Sequence, residues 1–240
     1  MNAFGARVIG RIARVGVVGA LLAVVLTGCI RADERITFDA QGAGTYEMTF
    51  GMDTAMMREM AAAMGDSGGQ GSSSGPNMSM SDAERAELVA KFGPGTEVDS
   101  ASVTEDGTTW DGARIRIPFN SVERFNALGP ELAASGSGGS SGSPAATLQV
   151  TVQDDTFTAT GRLESIMPSS AQGPEAAMMA HFFGKAIHIV RVTVPGQVTA
   201  TNADYREGRT YIWENEGDDP AREMRISWRP AGNPALSVEP

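Results

Sequence analysis

Short alternations of apolar and polar residues recur along the chain, and they predict strands. In "RITFDA" Ile36 and Phe38 alternate with polar neighbours, and in "TYEMTF" Tyr46, Met48 and Phe50 alternate with Thr45, Glu47 and Thr49. The same period of two sets Ile115 and Ile117 against Arg114 and Arg116, repeats at Leu148, Val150 and Val152, and returns at Met224, Ile226 and Trp228. One apolar and one polar face means antiparallel sheet covered on one side. "VQDDTFTATGRL" predicts a hairpin turning at Asp154-Asp155, and "QVTATNADYREGRTYIWE" a second one turning at Arg206-Glu207-Gly208. "IHIVRVTV" is partly apolar on both faces and predicts a central strand.

Helical signals fall between these strands. "DTAMMREMAAAMG" starts with Asp53 as N-cap, and "SDAERAELVAKFGPG" opens with Ser81 and Glu84 at capping-box spacing and stops at Gly93-Pro94. "NSVERFNALGPEL" offers Asn120 as cap and Val122, Phe125 and Leu128 as an apolar stripe, while "GPEAAMMAHFFGKA" places Pro174 at a first helical position. The order ββα-αββα followed by ββαβββ reads as α+β, a mostly antiparallel β-sheet with several helices packed on one side. Two Gly/Ser-rich stretches, 65–77 and 135–144, have no apolar content and read as loop inserts within a single domain spanning 29–240.

The first 28 residues follow a different pattern. Arg7, Arg11 and Arg14 precede a fourteen-residue apolar run, 15–28, without an acid among them. That is a basic segment followed by an apolar segment of secretory-signal type, shorter than the ~20 residues of a spanning helix. Leu26-Thr27-Gly28-Cys29 then forms a lipobox of bacterial lipoproteins, ending on the single cysteine of the chain. This resemblance implies cleavage after Gly28, a thioether-linked diacylglycerol on Cys29, and residence on the outer face of a cell membrane. With the thiol acylated, no disulfide can form within the mature chain. The chain ends in "NPALSVEP", with no second apolar run of spanning length and no tail anchor expected.

Charge narrows the partners. The formal net charge of the full chain is −10, and the segment ahead of Cys29 holds three Arg and no acid, which leaves the remainder near −13. Nucleic acid and polybasic membrane contact both require the opposite sign, so neither is expected. Aromatic residues make up only 6% of the chain, too few to suggest a carbohydrate-stacking platform.

Catalytic patterns are missing from the sequence. The two histidines, His181 and His188, lie on different predicted elements, no Gly-x-Ser-x-Gly lies in a predicted strand-to-helix turn, and His188 sits in an apolar strand as a structural residue. No His-x-x-x-His, cysteine pair or calcium-binding loop is present, and no cofactor is indicated. The carboxylates Glu214, Glu216, Asp218 and Asp219 read as a solvated hairpin end rather than a calcium site. The expectation is therefore a protein that is not an enzyme.

The methionines are more suggestive. Met52, Met56, Met60 and Met64 recur every four residues, on one helix face. Thioethers can bind Cu(I), but no His or Cys accompanies them, so copper handling ranks below a deformable apolar surface. The helix around 174–185 carries Met178, Met179, Phe182 and Phe183 and is apolar nearly all round. Met56, Met60, Met178 and Phe182 are the candidate lining of an apolar ligand pocket against the sheet.

Taken together, a lipobox, the strand pair in "ERITFDAQGAGTYEMTFGMD" and the strand, Pro-Gly, strand, Gly-turn and Trp-strand succession in "VRVTVPGQVTATNADYREGRTYIWE" resemble the LppM-like lipoproteins of mycobacteria and related actinobacteria. The resemblance implies an envelope lipoprotein with an α+β domain that contacts membrane lipids or glycolipids. This chain departs from it in its Gly/Ser inserts and in ending without a transmembrane helix. The expected function is a lipid-anchored envelope protein that binds a lipid or other amphiphilic component. The alternative is a structural module that recruits another envelope protein.

Overall fold

The computed structural model of the protein describes residues 30–55, 58, 81–105, 107–135, 148–164, 186–217 and 219–231. The segment 1–28, Cys29, both Gly/Ser inserts apart from Ser135, the helix expected over 174–185 and the expected pocket residues Met56, Met60, Met178 and Phe182 lie outside them.

Eleven strands and two helices follow one another among the described residues: β1 (Ile30–Phe38), β2 (Gly44–Asp53), α1 (Asp82–Phe92), β3 (Glu97–Glu105), β4 (Thr108–Phe119), α2 (Val122–Ser135), β5 (Gln149–Gln153), β6 (Thr156–Leu163), β7 (Ile187–Thr193), β8 (Gly196–Thr201), β9 (Tyr205–Glu207), β10 (Thr210–Glu216) and β11 (Arg222–Pro230). They form two sheets, in the orders β3-β4-β2-β1-β7-β10-β9 and β5-β6-β11-β8. Every neighbouring pair is antiparallel except β1 with β7, which run parallel. The class is α+β and mostly β, as the alternation predicts. None of the helices among the described residues is long and apolar enough to cross a membrane.

Local signals act where they are written. Asp154 and Asp155 both take positive φ, 48° and 61°, and join β5 to β6 by a two-residue turn whose twist matches that of the flanking strands. Ser81 caps α1: its Oγ accepts from the Glu84 amide at 3.3 Å, and the Glu84 carboxylate accepts from the Ser81 amide at 2.7 Å. Gly93, at φ 98°, ends the helix. In α2 the cap is Ser121, whose Oγ accepts from the Arg124 amide at 3.2 Å. The expected cap, Asn120, lies one residue too early to reach the free amides of the first turn.

Strand β7 is central, as its two apolar faces predict. The stretch read as one hairpin from Gln197 to Glu214 divides instead between sheets. β8 pairs with β11, and only the short β9 turns back on β10 through Gly208. Thr199 donates to the Ser227 carbonyl at 3.2 Å and Asn202 to the Glu223 carbonyl at 2.9 Å, holding β8 and the residue after it on β11.

The core lies where the two sheets and α2 meet. Ile36, Phe38, Ile117 and Phe119 face Phe157, Met224, Ile226 and Trp228, with Val122, Phe125 and Leu128 of α2 in the same buried cluster. The Phe38 ring sits 5.4 Å from Phe119, 5.1 Å from Phe125 and 5.3 Å from Trp228, so one side chain touches both sheets and the helix. Asn126 ties α2 to β5, donating to the Val150 carbonyl at 2.9 Å and accepting from its amide at 2.8 Å.

Candidate functional site

Strand β1 has two faces of different character, because successive side chains point to opposite sides. Ala32, Glu34, Ile36 and Phe38 enter the interior, and Arg31, Asp33 and Arg35 line the opposite face. Each face carries a polar cluster.

On the inner face Glu34, fully buried, bridges its neighbours. Its Oε2 accepts from Tyr46 Oη of β2 at 2.9 Å, and its Oε1 lies 2.7 Å from His188 Nε2 of β7. Burial, the Glu34 charge and the hydrogen bond to it push the Tyr46 phenol well above its ordinary range. His188 Nδ1 is buried without a hydrogen-bond partner among the described residues. This cluster joins three adjacent strands in the protein interior, which suits holding the sheet together rather than meeting a substrate.

On the outer face a cavity of about 310 Å³ opens between β1, β2, β3, β4 and β7. Arg31, Asp33 and Arg35 come from β1, Arg191 from β7, Glu105 from the end of β3 and Trp110 from β4. Gly51 contributes floor: a Cβ there would meet the Trp110 Cβ at 2.9 Å, so glycine lets the strand carrying Trp110 lie this close. Asp33 sits among three guanidinium groups, paired with Arg191, 3.4 Å from Arg35 Nε and 3.8 Å from Arg31 Nη2. Arg31 also pairs with Glu105 through Nη1 and lies over the Trp110 ring, 5.2 Å from its centroid. The Arg31 side chain is only 8% exposed, yet its Nε has no hydrogen-bond partner among the described residues. A buried guanidinium with a spare donor can take a further acceptor, and its planar fork fits a carboxylate or phosphate.

His188 is structural in setting, as its apolar strand suggests. Glu214 and Asp219 are drawn into the hairpin end: Glu214 Oε2 accepts from Tyr205 Oη at 2.8 Å, and Asp219 Oδ2 from the Glu216 amide at 3.0 Å. Apolar alternation did not disclose the outer cavity. Its one local sign is "IRADER", residues 30–35, where a strand that goes on to "ITF" carries charge at Arg31, Asp33 and Arg35.

No family model matches the chain, and no curated protein sequence matches it. A similar solved structure is the NMR structure of the folded domain of Mycobacterium tuberculosis LppM, 15% identical, covering 87% of this chain and 94% of that one, with a TM-score of 0.47.

Proposed function

We propose that this protein is a lipid-anchored envelope protein that binds an amphiphilic envelope component and catalyses no reaction. The observation that carries the reading is the position of the outer cavity. It opens at the start of β1, and Arg31 stands two residues after Cys29. Two extended residues span at most about 7 Å. With Cys29 acylated, the mouth of the cavity lies at the height of the surrounding headgroups. Two acyl chains suffice for stable anchoring, and the cavity volume is at the lower end of the range for small-molecule sites. The inner-face cluster supports binding over catalysis, since its His188 and Glu34 are sealed in the interior.

The test has two arms. Metabolic labelling with a fatty-acid probe should mark the parent protein and not Cys29→Ser, and fractionation should move the variant out of the membrane. Native mass spectrometry of the full chain released from membranes should show a retained lipid or other amphiphile. Equal labelling of the variant would remove the anchor from the proposal, and a ligand-free parent would remove the binding role.

A further inference from the structure

We infer that the outer cavity is a phosphate-class oxyanion site in which the Glu105 carboxylate occupies the ligand's place. The inference deepens the proposed binding role and rests on it. Three guanidinium groups converge there on two carboxylates of unequal standing. Asp33 is 9% exposed and engaged by all three arginines. Glu105 ends an edge strand, is 52% exposed, and among the described residues pairs with Arg31 alone. Asp33 is therefore a fixed part of the site, and Glu105 is free to swing into solvent. When it does, the buried Arg31 keeps, among the described residues, only the Asp33 contact at 3.8 Å and the Trp110 face. A buried cation needs a close counter-charge, and tetrahedral phosphate oxygens can take both the vacated Nη1 and the unpartnered Nε. Arg35, 59% exposed, and Arg191, 20% exposed, stand at the same opening to meet the remaining oxygens.

Trp110 reports on the site. The other two tryptophans, Trp213 and Trp228, are completely buried elsewhere in the fold, so a change in emission on ligand addition reads the indole under Arg31. The full chain in dodecyl maltoside would be titrated with inorganic phosphate, short-chain phosphatidylglycerol and monohexanoylglycerol. Saturable emission changes with phosphate, with the phospholipid or with both support the site, and the probe that binds more tightly identifies free anion or headgroup as the source. Glu105→Gln should tighten binding up to about fivefold, the weight of one partly exposed ion pair. Arg35→Gln, at a position 59% exposed, should weaken it about threefold or more. Affinities unchanged in both variants would overturn the inference and leave Glu105 as a strand clasp. Binding of monohexanoylglycerol alone, indifferent to both substitutions, would also overturn it while leaving the binding role in place.

Discussion

Glu34 and His188, 154 residues apart in the chain, meet inside the protein with Oε1 2.7 Å from Nε2 and no exposed side-chain surface on either. They sit on β1 and β7, the one parallel pair among the described strands. With Tyr46 they link β2, β1 and β7 through one carboxylate. Removing one member should hurt the others. His188→Ala should cost about 3–5 kcal/mol, since it strands a buried carboxylate, and Tyr46→Phe about 1.5–3 kcal/mol, the weight of a hydrogen bond to a charged group. Denaturant unfolding of both single variants and the double variant checks this. Strict additivity would mean that the three side chains do not act as one network.

Tyr46 also sets an alkaline limit. Its phenol is held well above the ordinary value, first by burial, then by the Glu34 charge and hydrogen bond. Because the folded state holds the proton more tightly, the stabilisation is full below the unfolded value of about 10 and is lost as pH rises from there through the folded value. Unfolding midpoints measured between pH 8 and 11.5 should fall for the parent and fall less steeply for Tyr46→Phe. Parallel slopes would assign the alkaline loss to other groups.

Asp204 works in the opposite direction at acid pH. The hydrogen bonds from Arg222 hold its carboxyl below the usual range against partial burial, with help from the Glu214 amide. Its contribution is present above about pH 4, the unfolded carboxyl value, and is lost as pH falls through the folded value. Asp204→Asn should lower stability by about 1 kcal/mol at neutral pH, given its partial exposure. The difference from the parent should shrink as pH falls below about 4, where a gap in thermal midpoint that stays constant with pH would contradict the assignment.

Gly112 faces Gly51 across the β2–β4 pair beside the outer cavity. A Cβ at Gly112 would stand 1.9 Å from the Phe50 carbonyl oxygen. Gly112→Ala should therefore push the two strands apart and cost about 1–3 kcal/mol, with a shift in Trp110 emission. Parent-like stability and emission would show that the strands do not approach this closely in solution.

The turn at Asp154-Asp155 carries avoidable strain, since both residues occupy the left-handed region. Asp155→Gly should raise stability by up to about 1 kcal/mol, because glycine adopts that conformation without a Cβ penalty. Urea unfolding would show a higher midpoint at unchanged slope, and a lowered midpoint would mean that the aspartate side chain stabilises the turn by more than its backbone costs.

What the sequence determined by itself was local. Alternation at Met224, Ile226 and Trp228, the capping box of Ser81 and Glu84, and the Asp154-Asp155 turn each depend on residues a few positions apart, and the structure realises them all. The period of two also marked Ile36, Phe38 and Ile117 as core. Pairing partners were decided only by tertiary structure. Nothing within "QVTATN" states that β8 leaves its neighbour β9 for β11, because backbone hydrogen bonds are alike in either sheet and the choice rests on where apolar faces meet. The same holds for the parallel docking of β1 on β7. The outer cavity depends on both levels: "IRADER" carries charges at alternate positions, but that they lie on a strand and gather under cover rather than face water was decided by the fold. Folding brought Arg31 to Glu105, 74 positions away, and Asp33 to Arg191. It laid Trp110 beneath them, turning a charged stretch into a walled site.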